Sequence, residues 1–150
     1  MWRSAIVAGL ICSILCSFQI YSPESAKTIL PSEIHYTIAN FGHIPYGSTL
    51  IAKLKLSEPR DLCLPNETFA EQQKDQQYFL IGERGDCKFT TKAANAQKSG
   101  AKLAIIEDKK SSSDGVIMAN DGYGFLVDIP SIFISYEDGE KLKQVMSATK

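Results

Sequence analysis

The 150-residue chain is poor in the side chains that catalysis most often uses. Its two histidines, His35 and His43, fall in a strand-like segment and a turn at no zinc spacing, and both read as structural or surface residues. There is no G-x-S-x-G motif, no phosphate-binding loop and no calcium-loop spacing. Gly122-Tyr123-Gly124 lacks the third glycine and the strand-to-helix setting of a dinucleotide loop. Charge of one sign is missing too. Sixteen basic against 17 acidic side chains leave a formal charge of −1, which removes the electrostatic case for nucleic acid or an anionic membrane as partner. None of those acids sits in a motif that names a catalytic pair. Cysteine is scarce, with four residues, too few for a disulfide scaffold. These absences argue against an enzyme and a cofactor, and toward a binding module.

What is present is an ordinary globular composition, 44% apolar and 22% charged, enough for one domain with its own core. The start of the chain differs. Met1-Trp2-Arg3 is short and basic, and no charge follows from Ala5 to Ile20. Such a run has the length of a secretory leader and is short for a membrane span. Residues 1–22 are therefore expected to leave as a signal peptide, with the cut after Ser17 or Ser22. Residues 23–150 would then form a soluble domain without a membrane span; an uncleaved anchor is the alternative. Cys12 and Cys16 would depart with the leader, so their spacing is no redox or metal motif. Cys63 and Cys87 remain, an even pair in a compartment where disulfides form, and are expected to be bonded. Closing a loop of about 25 residues stabilises by roughly 3–4 kcal/mol on the loop-entropy model. Asn66-Glu67-Thr68 is the one N-x-S/T sequon and places an expected glycan on Asn66.

Alternation of apolar and polar residues predicts strands over 34–38 and 50–56. Phe41 to Ser48, dense in glycine, proline and aromatics, reads as a structured turn, and 59–77 as a long loop with one helical turn near Phe69. Tyr78–Ile81, Leu103–Ile106 and Ser131–Ile134 are short unbroken apolar runs, as in strands buried on both faces. Between the first two, Thr90–Ser99 is rich in helix formers, with Gly100 placed as its C-terminal cap. Phe89, Ala93, Ala96 and Gly100 give that helix a face of mostly small residues that can sit close to a sheet. Strand, helix and strand make a βαβ unit. A short strand is expected near Phe125–Val127. A last helix follows, capped by Ser135, with Leu142, Val145 and Met146 on one face. The class is a small α/β domain, mixing hairpin-like strands with at least one parallel unit.

Glu83-Arg84-Gly85-Asp86-Cys87-Lys88-Phe89, then Lys92, Asn95-Ala96-Gln97 and Gly100-Ala101, form an ordered series running into an apolar strand. With Phe41-Gly42, Tyr46-Gly47 and Ile129-Pro130-Ser131, this series resembles the protease-associated (PA) domain. It is most similar to the luminal PA domain of plant-type vacuolar sorting receptors, over roughly residues 34–147. The resemblance implies an α/β (α+β) fold: an open, partly closed β-barrel-like sheet with flanking helices and one βαβ unit. It implies no catalytic machinery, a peptide or protein ligand (cargo or a protease), and a secreted or vacuolar-lumen location. By the same resemblance Arg84, Gly85, Asp86 and Cys87 are the peptide-binding positions. Family members usually add a closing strand and further domains past the point where this sequence stops, at Lys150. Two other readings follow: an accessory or regulatory domain of a protease, and a truncated ectodomain of a membrane-anchored ubiquitin ligase or receptor.

The loop also makes physical sense on its own. Gly85 permits a close turn, and the amides around it can meet a carboxylate or carbonyl. Arg84 offers a planar, permanently charged fork, and its alternative role is to hold the turn by pairing with an acid. Cys87, tied to Cys63, lowers the ordering cost of binding. Arg84-Gly85-Asp86 also spells the integrin-type tripeptide, a coincidence with the family motif. The Phe41–Ser48 and Gly122–Asp128 loops are the expected rims of the site.

Overall fold

The apolar runs at the centre of the chain lie side by side, because a strand without a polar face is stable only when both faces are covered. The computed structural model describes residues 7–12, 16–22, 28–30, 34–66, 71, 76–110 and 116–148. β1 (Val7–Cys12), β2 (Cys16–Ser22), β3 (Tyr36–Ile38), β4 (Thr49–Leu56) and β5 (Tyr78–Glu83) precede the helix α1 (Phe89–Lys98). β6 (Leu103–Glu107), β7 (Ser131–Ile134) and α2 (Tyr136–Ala148) follow. One sheet holds the strands in the order β2-β1-β4-β5-β6-β7-β3. β4, β5, β6 and β7 run parallel, and β3 closes on β7 antiparallel.

Side chains on β5, β6 and β7 alternate between two cores. Phe79, Ile81, Leu103, Ile105, Ile132 and Ile134 pack with Leu142 and Val145 of α2. Tyr78, Leu80, Ala104, Ile106 and Phe133 pack with Ala93 and Ala96 of α1. The two helices therefore cover opposite faces of the sheet. The small face read from the sequence lets α1 lie close over Ala104, and Phe89 meets Phe133 edge to face at 6.0 Å. α1 ends where Gly100 turns to φ +92°, its N–H bonded to the Gln97 carbonyl. At the start of α2 the Ser135 hydroxyl accepts the Asp138 N–H at 3.1 Å, as the cap predicts.

Two expectations change. β3 and β4 were read as hairpin-like, yet they lie at separate places in the sheet, since β4 takes β5 and β3 takes β7 as neighbour. The strand expected near Phe125–Val127 is a 3-10 turn at Gly124–Leu126. Asn120 Oδ1 accepts the N–H groups of Gly122 and Gly124 at 2.9 Å each, and this local side-chain bonding outcompetes extension. Within the expected leader, Val7–Cys12 and Cys16–Ser22 form a hairpin whose first strand pairs antiparallel with β4, Val7 opposite Lys53 through Ile11 opposite Thr49. Ala8 and Phe18 are buried, and the Phe18 ring lies 6.5 Å from that of Phe79. An uncharged apolar segment beside an open strand edge satisfies its backbone there and covers the core. The helical turn expected near Phe69 lies outside the described residues.

Candidate functional site

Every parallel strand delivers its last residue to one end of the sheet, and ligands of open α/β sheets collect there. Arg84 follows β5, Asp108 follows β6 and Ser135 follows β7. The Arg84 N–H donates to the Glu107 carbonyl at 2.9 Å, which joins the loop after β5 to the end of β6. The chain then turns sharply. Gly85 and Asp86 both take positive φ, +112° and +62°, and the Cys87 N–H returns to the Gly85 carbonyl at 2.7 Å. A Cβ at position 85 would also stand 2.7 Å from Lys109 Cε, so Lys109 crosses directly over the turn. Glycine is required here by its φ.

The turn is fastened from beneath by residues 60–63, part of the loop that follows β4. Cys63 and Cys87 form a disulfide with their Cα atoms 5.7 Å apart. Lys92 and Asn95, buried polar side chains of α1, donate to the Asp61 and Leu62 carbonyls. Burial pushes the Lys92 ammonium down from its ordinary value, while Asp61, Asp86 and Glu83 oppose that shift. Arg60 binds Glu83 at 3.1 Å, Glu107 at 2.9 Å and the Ile81 carbonyl at 3.1 Å. The site loop is thus preorganised.

The Arg84 side chain, 36% exposed, pairs with Asp108 at 3.0 Å. Asp108 in turn opens a cleft of about 230 Å³ between the ends of β3, β6 and β7 and the start of α2. Tyr36, Val116 and Phe133 give it apolar wall, and His35, Lys109, Lys110 and Glu137 bring polar and charged groups. On the other side of the turn Lys88 pairs with Asp121 at 3.3 Å and lies over the Tyr123 ring at 5.9 Å. The Thr90 hydroxyl donates to Asp121 at 2.6 Å and, with Lys88, holds that carboxyl below its ordinary value. Tyr123, Phe125 and Leu126 are left exposed on this turn.

Arg84, Gly85, Asp86 and Cys87 lie in one turn beside a cleft. The two expected rims are not equivalent. The segment from Asp121 runs along α1 from Lys88 to Gln97, whose Oε1 accepts the Asp128 N–H at 2.6 Å. Phe41–Ser48 precedes β4 and lies at the opposite end of the parallel strands, because β4 and β5 run the same way. Asp108, Lys109, Arg60 and Glu107 were missed. Glu107, Asp108 and Lys109 do carry a signal, a run of charge directly after Leu103–Ile106, whereas Arg60 has none. Asn66 donates its side-chain N–H to the Glu58 carbonyl at 3.0 Å, beside the disulfide-bonded segment. Among the described residues no group of three or more His, Cys, Asp or Glu is arranged to hold a metal ion, and no helix is long and apolar enough to cross a membrane.

Residues 49–142, which include the Arg84 turn and both sides of the βαβ unit, match the PA domain family model. The chain belongs to the PA domain family. Its relatives include a receptor homology region, transmembrane domain- and RING domain-containing protein of Arabidopsis thaliana, 29% identical over 96% of this chain. A protein of the same description from Oryza sativa is 35% identical over 74%. Vacuolar-sorting receptor 3 of Arabidopsis thaliana is 31% identical over 87% of the chain. The chain spans a third or less of each of these relatives, 32%, 20% and 22% of their lengths. Among solved structures, a zinc aminopeptidase from Bacillus subtilis superposes with a TM-score of 0.60 at 23% identity, covering 95% of this chain and 29% of that one. That likeness speaks to the PA fold.

Proposed function

We propose that this PA domain binds an extended peptide or an exposed protein segment without catalysis, in the secretory or vacuolar lumen, much as its resemblance to sorting receptors implies. The observation that carries this reading is the cleft, with apolar walls and a rim of mixed charge, that opens beside the disulfide-anchored turn. The pairing of Arg84 with Asp108 is also the bond that a turn-holding role requires, so Arg84 variants separate the two roles. A peptide lying beside the turn meets the Arg84 fork, and its next side chain enters the cleft past Lys109. Residues 1–22 serve as a leader that is removed, Asn66 carries a glycan, and the ligand is cargo. A protease-accessory role is the second reading, supported by a signal peptide peptidase-like relative of Arabidopsis thaliana, 26% identical over 110 residues.

The test uses the full chain expressed through a secretory route and an array of random dodecapeptides with free termini. The reading expects a subset of sequence-related peptides to bind, and binding to collapse in Arg84→Ala while folding is kept. A uniform blank array, or peptides bound equally by Arg84→Ala, would move the site elsewhere.

A further inference from the structure

The disulfide that anchors the turn has two unequal sulfurs. Lys92, fully buried, reaches up through the core with its Nζ 3.6 Å from Cys63 Sγ and donates to the Asp61 carbonyl. The residue before each cysteine is also unusual. Leu62 and Asp86 have φ of +54° and +62°, and they are the non-glycine residues with positive φ among the described residues. L side chains adopt that region reluctantly, a bulky leucine most of all, and hold it only where surrounding bonds over-determine it. Both residues thus abut the bridge that ties their segments together. Both cysteines are partly exposed.

We propose that Cys63–Cys87 is a thiol-exchange site for small dithiols, entered at Cys87, with Cys63 leaving as a thiolate held by Lys92. In the first step a dithiol's thiolate attacks Cys87 Sγ. A new S–S bond forms, the Cys63–Cys87 bond breaks, and its electron pair goes to Cys63. A thiolate beside an ammonium is the better leaving group, because its conjugate thiol is more acidic. In the second step the dithiol's other thiol loses its proton and attacks the mixed disulfide. Cys87 departs with the electron pair and takes up that proton. The dithiol leaves as a cyclic disulfide, oxidised by two electrons, and the domain gains one thiol and one thiolate.

The groups facing Lys92 support the assignment. Asp61, Asp86 and Glu83 favour its ammonium, whereas burial and Lys109 disfavour it. A thiolate at Cys63 adds a further anion at the closest place and keeps the proton on Lys92. The Cys63 N–H donates to Asp61 Oδ1 at 2.9 Å, which holds that carboxylate beside the pair. Once the bridge opens, the Arg84 turn loses its covalent anchor, while Leu62 stays buried and bonded to Asn95. The effect on ligand capture rests on the function proposed above; the exchange chemistry does not.

The experiment uses the full chain from a secretory host, reduced with dithiothreitol and alkylated with iodoacetamide from pH 5 to 10, each cysteine followed by peptide mass spectrometry. The expected result is a Cys63 midpoint at least one pH unit below that of Cys87, removed in Lys92→Met, and reduction of the intact bridge slowed about ten-fold in that variant. Equal midpoints, a lower midpoint at Cys87, or unfolding that equalises both on reduction would overturn the proposal. Where Lys92→Met does not fold, the wild-type midpoints decide alone. No peptide ligand enters this measurement, so it can fail while the dodecapeptide array succeeds, and the reverse.

Discussion

Glu83 and Glu107 stand opposite each other on the last rung of the β5–β6 ladder, and one guanidinium, Arg60, binds both. Two carboxylates so placed would repel and splay the strand ends. With Arg60 between them, and Lys143 of α2 also 3.1 Å from Glu107, the rung is held closed. The next residues along the two strands are Arg84 and Asp108, so the closed rung sets the spacing of the site pair.

Removing Arg60 should therefore be costly even though it is partly exposed. Glu107 is 2% exposed and would keep only Lys143. Arg60→Met is expected to destabilise by about 2–4 kcal/mol, read by urea denaturation, with Arg60→Lys intermediate because one ammonium cannot fork to both acids. A loss under about 0.5 kcal/mol would show that the rung closes without it.

Arg84 should behave differently. Its bond to Asp108 is partly solvated, so Arg84→Ala is expected to lower stability by less than about 1 kcal/mol. Affinity for an array-selected peptide should fall ten- to a hundred-fold, about 1.5–3 kcal/mol, with Arg84→Lys recovering part. A large drop in melting temperature would mean that the arginine's main work is to hold the turn.

Gly82 is the third position. A Cβ there would lie 2.7 Å from Leu62 Cγ and 3.1 Å from the Arg60 carbonyl, and Leu62 is itself 1% exposed. Gly82→Ala should thus cost about 1–3 kcal/mol as overpacking and push the 60–63 segment away from β5. An unchanged melting temperature would contradict the close approach.

Asp121 gives a pH signature. Its carboxyl is held below the ordinary 3.8 by the Thr90 hydroxyl first, then by Lys88 and the Tyr123 N–H. A depressed folded value stabilises above the unfolded value, and the contribution is lost as pH falls through the folded one. Asp121→Asn should therefore flatten the part of the stability curve below about pH 4 and leave the curve shape from pH 5 to 8 unchanged. Thermal melts across that range would check it.

The covalent predictions need only mass spectrometry. Protein from a secretory host should begin between residues 18 and 27 and carry a glycan on Asn66. An intact Met1-to-Ile20 segment on the secreted product would contradict the leader.

Much of this architecture was legible in the sequence, for identifiable reasons. β5, β6 and β7 announce themselves because strands covered on both faces need no polar residues. α1 was legible through its small face, and α2 through Ser135 and the spacing of Leu142 and Val145. What escaped depends on partners distant in sequence. Lys92 and Asn95 look like solvated helix positions until the Asp61 and Leu62 carbonyls arrive above them. Arg60 and Glu107 are 47 residues apart, and nothing local shows that their strands' ends converge. The strand expected near Phe125–Val127 rests on its β-formers, and the Asn120 bonds that make a turn there come from outside that run. The Arg84–Cys87 turn was readable as a turn, but the cleft beside it was not, since three separate strand ends build it.

The hairpin docked along Thr49–Lys53 has a consequence for handling the protein. While β1 is in place, the backbone N–H and C=O groups on that side of β4 are paired. Processing that strips the segment would bare a row of them beside Leu54, and an open strand edge invites a second chain to add on. The two forms would then differ in colloidal behaviour: the trimmed protein would self-associate as concentration rises, and the untrimmed one would stay dispersed. Lys53 and Lys55 on that strand are the charges that would limit such edge-to-edge growth, so added salt, by screening them, should bring it on sooner.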